Sequence, residues 1–95
     1  MEWVHVEGKR GRAVKLYALS TCGWCRKTRE LLDELKIAYD YQYVDLLNGA
    51  ARQEVLAEVK RWNPAGSFPT IVIDDKDCIV GFKPEFLRVE LAREQ

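Results

Sequence analysis

The chain has 95 residues, 47% of them hydrophobic and 32% charged, which predicts one domain built on one hydrophobic core. Its fifteen basic and fifteen acidic residues cancel, which argues against nucleic acid or an anionic membrane as the main partner, because both attract a basic excess. No apolar run approaches the roughly 18 residues that cross a bilayer, and the first residues lack a signal-peptide core, so we expect a cytoplasmic protein.

Residues 1–13 stand apart from the rest of the sequence. The apolar side chains of Trp3, Val4 and Val6 indicate a short extended segment. This segment would form either an additional strand at a sheet edge or a loose extension, and the sequence leaves both open. We therefore predict an N-terminal extension at 1–13 followed by a single domain at 14–95.

Helical and strand patterns alternate along that domain. Leu31 and Leu35 share a helix face by their spacing, whereas Tyr39, Tyr41 and Tyr43 share a strand face. The predicted elements are strands at 14–19 and 38–45, each followed by a helix (23–36 and 49–62), then strands at 70–73 and 78–82 and a helix from Pro84. Strands joined through a helix run parallel, and adjacent hairpin strands run antiparallel. The order is therefore β-α-β-α-β-β-α, an α/β fold with a mixed four-stranded sheet.

The segment Thr21-Cys22-Gly23-Trp24-Cys25 lies between the first predicted strand of the domain and the first predicted helix. A thiol at a helix N-terminus faces unpaired backbone N–H groups and the positive end of the helix dipole, and both stabilise a thiolate. Because the thiolate is the nucleophile in disulfide exchange, we predict that Cys22 attacks and that Cys25, one helical turn away, resolves the mixed disulfide. A CxxC pair in this context predicts a thiol–disulfide oxidoreductase.

The same cysteines allow a second hypothesis, an iron–sulfur or metal carrier. Three cysteines and one histidine would nominally suffice for a four-ligand zinc site. However, Cys78 falls in an apolar strand pattern that favours a core position, and His5 lies in the N-terminal extension. Neither has a second ligand close in sequence, so we predict no metal site.

Two further segments, Ser67-Phe68-Pro69-Thr70 and Gly81-Phe82, complete a recognisable set with the cysteine motif. Over residues 16–86 the chain resembles the glutaredoxin family. This resemblance implies a thioredoxin-like fold, a cis Pro69 beside the cysteines, and a Phe68 backbone that pairs with a bound peptide or glutathione. It also implies no bound cofactor, with glutathione as a possible co-substrate. The residues expected to contact substrate are Thr21, Gly23, Trp24, Phe68, Pro69, Gly81 and Phe82, with Trp24 as an exposed ring.

Two departures from the glutathione-using glutaredoxins concern the electron donor. Leu19 stands where those members commonly carry a lysine that binds a glutathione carboxylate. The segment 81–85 (GFKPE) replaces their usual Gly-Gly-x-x-Asp ending. It looks more like the redoxins that serve ribonucleotide reductase and take electrons from a thioredoxin reductase. We therefore expect disulfide-containing protein substrates, ribonucleotide reductase possible among them, and either a thioredoxin-reductase-type or a glutathione donor.

Overall fold

The computed structural model describes residues 3–92. Positions 1, 2 and 93–95, the outermost parts of the predicted extension and domain, lie outside the described residues. The strands are β1 (Val4–Val6), β2 (Val14–Ala18), β3 (Tyr39–Tyr43), β4 (Thr70–Ile73) and β5 (Asp77–Val80). The helices are α1 (Gly23–Glu34), α2 (Gly49–Trp62) and α3 (Pro84–Ala92), and a 3-10 turn at Val44–Leu46 follows β3.

The sheet has the strand order β1-β3-β2-β4-β5. Strands β2 and β3 are parallel, whereas the other neighbouring pairs are antiparallel, and β4 and β5 form the predicted hairpin. The predicted mixed sheet is therefore confirmed, and it has five strands instead of four because the N-terminal segment forms the additional edge strand that the sequence left open. The fifth strand is β1, which comes from the N-terminal segment and pairs with β3, with Val6 opposite Tyr39.

The N-terminal segment joins the sheet because, after β1, its backbone lies close to residues 36–38, which connect α1 to β3. The Lys9 N–H donates to the Lys36 carbonyl at 2.8 Å, and the Ala38 N–H donates to the Lys9 carbonyl at 2.9 Å. A Cβ atom at Gly8 would lie 2.6 Å from the carbonyl carbon of Ile37. Glycine at this position therefore permits the contact that continues the pairing beyond β1.

Alternating side chains of the sheet supply two hydrophobic layers. On β2, Leu16 belongs to the layer that packs against α1 and α3, and Tyr17 belongs to the layer that packs against α2. Leu32 of α1 is fully buried in the first layer and Val59 of α2 in the second. The sheet with helices on both faces confirms the thioredoxin-like α/β fold.

Helix α1 ends two residues earlier than its apolar spacing predicts. Lys36 adopts a left-handed conformation with φ of 58°. The Ile37 N–H donates to the Leu32 carbonyl at 3.2 Å and the Lys36 N–H to the Asp33 carbonyl at 3.0 Å, which is a Schellman motif. The apolar periodicity continues through residue 35 because Leu35 still packs against the core after the helix has ended.

A cluster of tyrosines holds the middle of α1 against β3. The Arg29 guanidinium lies 3.9 Å from the ring centroid of Tyr41. It also donates to the hydroxyl oxygens of Tyr39 at 3.1 Å and Tyr43 at 3.2 Å. The three tyrosines share one strand face, as their period-2 spacing predicts.

Within residues 3–92, no helix combines the length and the apolar character that crossing a membrane requires.

Candidate active site

Cys22 occupies the N-cap of α1, immediately after the loop that leaves β2. Its backbone is extended, with φ of −93° and ψ of 117°. Its Sγ accepts a hydrogen bond from the Cys25 N–H at 3.1 Å, and its carbonyl accepts from the Arg26 N–H at 3.1 Å. The half-buried Cys22 side chain therefore faces a backbone donor that belongs to the first turn of the helix.

Cys25 lies one turn further along α1 in a different environment. Its side chain is 1% exposed. Burial raises the pKa of the Cys25 thiol to about 12, and the hydrogen bond with Cys22 adds to the increase, while a backbone hydrogen bond with Leu19 acts in the opposite direction. Cys25 is therefore a protonated thiol at neutral pH, beside the half-buried Cys22 side chain. The two cysteines are chemically distinct, as nucleophile and resolving thiol need to be.

Hydrogen bonds that were not predicted from the sequence hold the loop before Cys22. The Cys22 N–H donates to the Leu19 carbonyl at 3.3 Å. The carboxylate of Asp45 accepts from both the backbone N–H and the hydroxyl of Ser20, at 2.8 and 2.6 Å. Because parallel strands end at the same sheet edge, an acidic residue shortly after β3 was the available signal for a contact with the loop after β2.

A groove opens beside the cysteine pair. The peptide bond between Phe68 and Pro69 is cis. Gly81 has φ of 86°, a conformation that suits glycine, and its N–H donates to the Pro69 carbonyl at 2.9 Å. This contact places Phe82 so that its ring stacks on Trp24, with centroids 5.6 Å apart and planes inclined by 24°. The groove has a volume of about 270 Å³ and is lined by Trp24, Phe68, Pro69, Gly81 and Phe82.

Five of the seven residues expected to contact substrate thus line one groove. Trp24 is 60% exposed, so its ring is available to a ligand, as its position between the cysteines suggests. Thr21 and Gly23 do not line the groove; both are exposed, beside Cys22 at the start of α1. They border the nucleophile instead.

The remaining candidate ligands lie apart from the cysteine pair. His5 hydrogen-bonds with Asp40 at 2.7 Å, between β1 and β3. Cys78 lies on β5 and is half-buried rather than fully in the core, and burial raises the pKa of its thiol. Within residues 3–92, no group of three or more histidine, cysteine, aspartate and glutamate side chains is placed to hold a metal ion.

The comparison with protein families decides the assignment. The sequence model of the family described as Glutaredoxin matches residues 14–78, which include the cysteine pair and the groove residues Phe68 and Pro69. The chain belongs to the glutaredoxin family. With the Cys22–Cys25 pair at the start of α1, this membership makes the chain a thiol oxidoreductase.

Solved structures of two glutaredoxins and one methanoredoxin are similar to this chain over most of their length. The glutaredoxin from Methanosarcina mazei Go1 is 47% identical, with a TM-score of 0.86, over 94% of this chain and 86% of that one. The methanoredoxin from Methanosarcina acetivorans is 40% identical, with a TM-score of 0.85, over 88% of each chain. The glutaredoxin from Archaeoglobus fulgidus is 34% identical, with a TM-score of 0.77, over 84% of this chain and 85% of that one.

Proposed function

We propose that this glutaredoxin is a dithiol electron carrier that reduces disulfides of proteins, or mixed disulfides between a protein and a small thiol. The observation that carries the proposal is the contrast between the two cysteines. Cys22 Sγ accepts a backbone hydrogen bond at the solvent-accessible helix start, whereas Cys25 is buried and protonated beside it. Attack and resolution then fall to different thiols.

The reaction proceeds in two exchanges. The Cys22 thiolate attacks one sulfur of the substrate disulfide, which forms a mixed disulfide with Cys22 and releases the other substrate sulfur as a thiolate. Cys25 then loses its proton and attacks the Cys22 sulfur, which releases the reduced substrate and leaves a Cys22–Cys25 disulfide. Two electrons have passed to the substrate, and a thiol or flavoprotein donor must return two electrons and two protons.

The groove is the proposed binding site for the substrate chain next to its disulfide. Its lining residues carry no ionisable side chain, and its volume of about 270 Å³ lies below the ~300–1,000 Å³ of typical small-molecule pockets. It therefore suits one or two residues of an extended peptide. The Phe68 backbone would pair with that peptide, as the resemblance implies, while the stacked rings of Trp24 and Phe82 would pack against its side chains.

For the donor, we propose a thioredoxin-reductase-type flavoprotein in preference to glutathione. Leu19 offers no cation for a glutathione carboxylate. Lys83 donates to the Val80 carbonyl at 2.6 Å, so its ammonium group is already engaged at the end of β5. Ribonucleotide reductase remains a proposed target, on the resemblance of the segment 81–85 alone.

A trapping experiment tests the proposed roles of the cysteines. In Cys25→Ser, attack by Cys22 should proceed, but the mixed disulfide should persist because no neighbouring thiol displaces it. Mass spectrometry after exposure to a disulfide-containing protein should find one partner on Cys22. Cys22→Ser should abolish exchange, and Cys78→Ser is the matched control that should keep it. An adduct on Cys25 or Cys78, or activity in Cys22→Ser, would show that the roles are wrong.

The donor is tested separately with the wild-type protein. Disulfide reduction is measured in parallel with glutathione and its reductase, with thioredoxin reductase, and without a donor. We expect the thioredoxin-reductase reaction to be the faster of the two. Glutathione-driven turnover at an equal or higher rate would contradict the proposed donor and leave the role of the cysteine pair intact.

A further inference from the structure

The segment that leads from α2 to the groove is held by one buried side chain. Asn63 caps the C-terminus of α2 and is 4% exposed. Its Nδ2 donates to the Ser67 carbonyl at 3.0 Å, the Ser67 hydroxyl at 3.1 Å and the Thr70 hydroxyl at 3.1 Å, and its Oδ1 accepts from the Ala65 N–H at 3.2 Å. Because a carbonyl can only accept and an N–H can only donate, these contacts fix which way the amide points.

A second buried side chain completes this network. Thr70, the first residue of β4, is fully buried, and its hydroxyl donates to the same Ser67 carbonyl at 2.8 Å. The Ser67 carbonyl thus receives two hydrogen bonds, from a residue before and a residue after the segment Phe68-Pro69. The Pro69 carbonyl in turn accepts from the Gly81 N–H at 2.9 Å. The groove wall at 68–69 is therefore fixed at both ends, and the two side chains of the network do not themselves line the groove.

The middle of this wall is left unpaired. Within residues 3–92, neither the N–H nor the carbonyl of Phe68 has a hydrogen-bond partner, although Phe68 is half-buried. An unpaired donor and acceptor on an extended backbone are the groups that a second extended chain uses when it adds to a sheet. The network therefore holds the backbone around Phe68 and leaves the polar groups of Phe68 itself unpaired.

This order should matter to a polypeptide substrate and not to a small one. A backbone segment that is already fixed loses less conformational entropy when a chain pairs with it. A small disulfide has no backbone to pair with Phe68, so it gains nothing from the fixed wall. None of the hydrogen bonds in the network involves Cys22 or Cys25, so the exchange chemistry should be independent of it.

We propose that Asn63 is a positioning residue for protein substrates. Together with Thr70 it holds the Phe68-Pro69 wall in the geometry that pairs with an extended chain, and it thereby selects disulfides carried by a polypeptide over small disulfides. The inference rests on the proposed function in one respect, the pairing of a substrate chain with the Phe68 backbone. It is independent of the electron donor and of the target.

Two substrates with the same leaving thiol measure this selection. One is hydroxyethyl disulfide, and the other is the mixed disulfide of 2-mercaptoethanol with an unstructured peptide that contains a single cysteine. Single turnovers of the reduced protein need no donor, and they give a half-saturating concentration and a maximal rate for each substrate. Cys22 alkylation is measured alongside as a readout of the nucleophile alone.

Asn63→Leu keeps the size of the side chain and removes its hydrogen bonds. It should raise the half-saturating concentration of the peptide disulfide about tenfold, the order expected when about one backbone residue must be ordered on binding. The maximal rate with the peptide, both constants for hydroxyethyl disulfide and the alkylation rate of Cys22 should stay close to the wild-type values. An unchanged value for the peptide disulfide, or an equal loss with both substrates, overturns the inference.

Two variants of Thr70 separate hydrogen bonding from packing. Thr70→Val keeps the shape and removes the hydroxyl, so it should raise the half-saturating concentration of the peptide disulfide about threefold, as expected for the loss of one or two hydrogen bonds. Thr70→Ser keeps the hydroxyl and should restore the wild-type value. The same value in both variants overturns the inference. If Asn63→Leu does not fold, this pair of variants decides the test.

Methylation of the peptide backbone separates failure of this inference from failure of the proposed function. The amide nitrogens beside the peptide cysteine are methylated one at a time, which removes a donor that can pair with Phe68. One of these methyl groups should weaken binding to the wild-type protein, and its effect should shrink in Asn63→Leu and Thr70→Val. An effect of the same size in wild type and variants overturns the inference alone. No effect of either methyl group in wild type overturns the proposed pairing with Phe68, and the inference with it.

Discussion

Alkaline pH should destabilise the reduced protein through one buried thiol. The unfolded chain releases the Cys25 proton near the ordinary value of 9, whereas the folded protein holds it until the pKa of about 12. Because the folded-state pKa is the higher one, the stabilisation is fully present below pH 9 and is lost as the pH rises towards 12. The free energy of unfolding should fall by up to about 1.4 kcal/mol per pH unit in that window. At pH 10 the loss from Cys25 should be on the order of 1 kcal/mol relative to pH 7.

Urea denaturation of the reduced protein at pH 7 and pH 10 measures this loss. Cys25→Ala removes the ionisable group, so the fall in the free energy of unfolding between the two pH values should be smaller than in wild type by on the order of 1 kcal/mol. Cys25→Ser leaves a different cavity and polarity but should show the same reduced pH dependence. Tyr17 and Tyr39, whose pKa values burial also raises, contribute equally in all three proteins. Equal pH dependence in wild type and both variants would refute the protonated state of Cys25.

Three further predictions concern single residues. Trp24→Ala removes the exposed aromatic surface of the groove, so it should raise the KM for protein disulfides about tenfold. The KM for a small disulfide such as hydroxyethyl disulfide should change little. An equal increase for both substrates would argue against peptide binding in the groove. Gly8→Ala should lower the free energy of unfolding by about 1–3 kcal/mol, because the new Cβ would lie 2.6–2.7 Å from backbone atoms. An unchanged melting temperature would show that the backbone after β1 does not lie this close to residues 36–38. Gln42→Leu should raise the free energy of unfolding by about 1 kcal/mol, and with it the melting temperature, because the buried Gln42 amide has no hydrogen-bond partner among the described residues. A lower melting temperature would mean that the amide does have a hydrogen-bond partner.

Local patterns were sufficient to predict the parts of the site that depend on one element. Cys22 and Cys25 follow a recognisable strand and begin a recognisable helix, so their placement could be inferred from neighbouring residues. The groove was different, because Trp24 and Phe82 are far apart in the sequence and meet only in the fold. Both residues were expected to contact substrate, but their stacking on each other could not have been derived from spacing.

The features that the sequence left open or did not predict depend on non-local pairing. Strand β1 has three residues, too few for an alternation pattern, and its pairing with β3 depends on the close approach at Gly8. Nothing in the sequence around Asp45 distinguishes it from other acidic residues after a strand, and its contact with Ser20 follows only from the parallel pairing of β2 and β3. Once β2 and β3 are known to be parallel neighbours, that contact becomes a reasonable expectation.

The contacts of Arg29 bear on how the molecule responds when it changes redox state. Arg29 joins α1 to β3 through three tyrosine rings, one helical turn after Cys25. Formation of the disulfide must bring the Cys22 sulfur towards Cys25, which is buried and lies on a helix that Arg29 holds against β3. The adjustment should therefore be confined to the segment from Leu19 to Cys22, while the rest of α1 stays still. In NMR spectra of the two states, large backbone chemical-shift changes should stop before Arg29, so that a target protein senses the oxidation state through the short segment that carries Cys22.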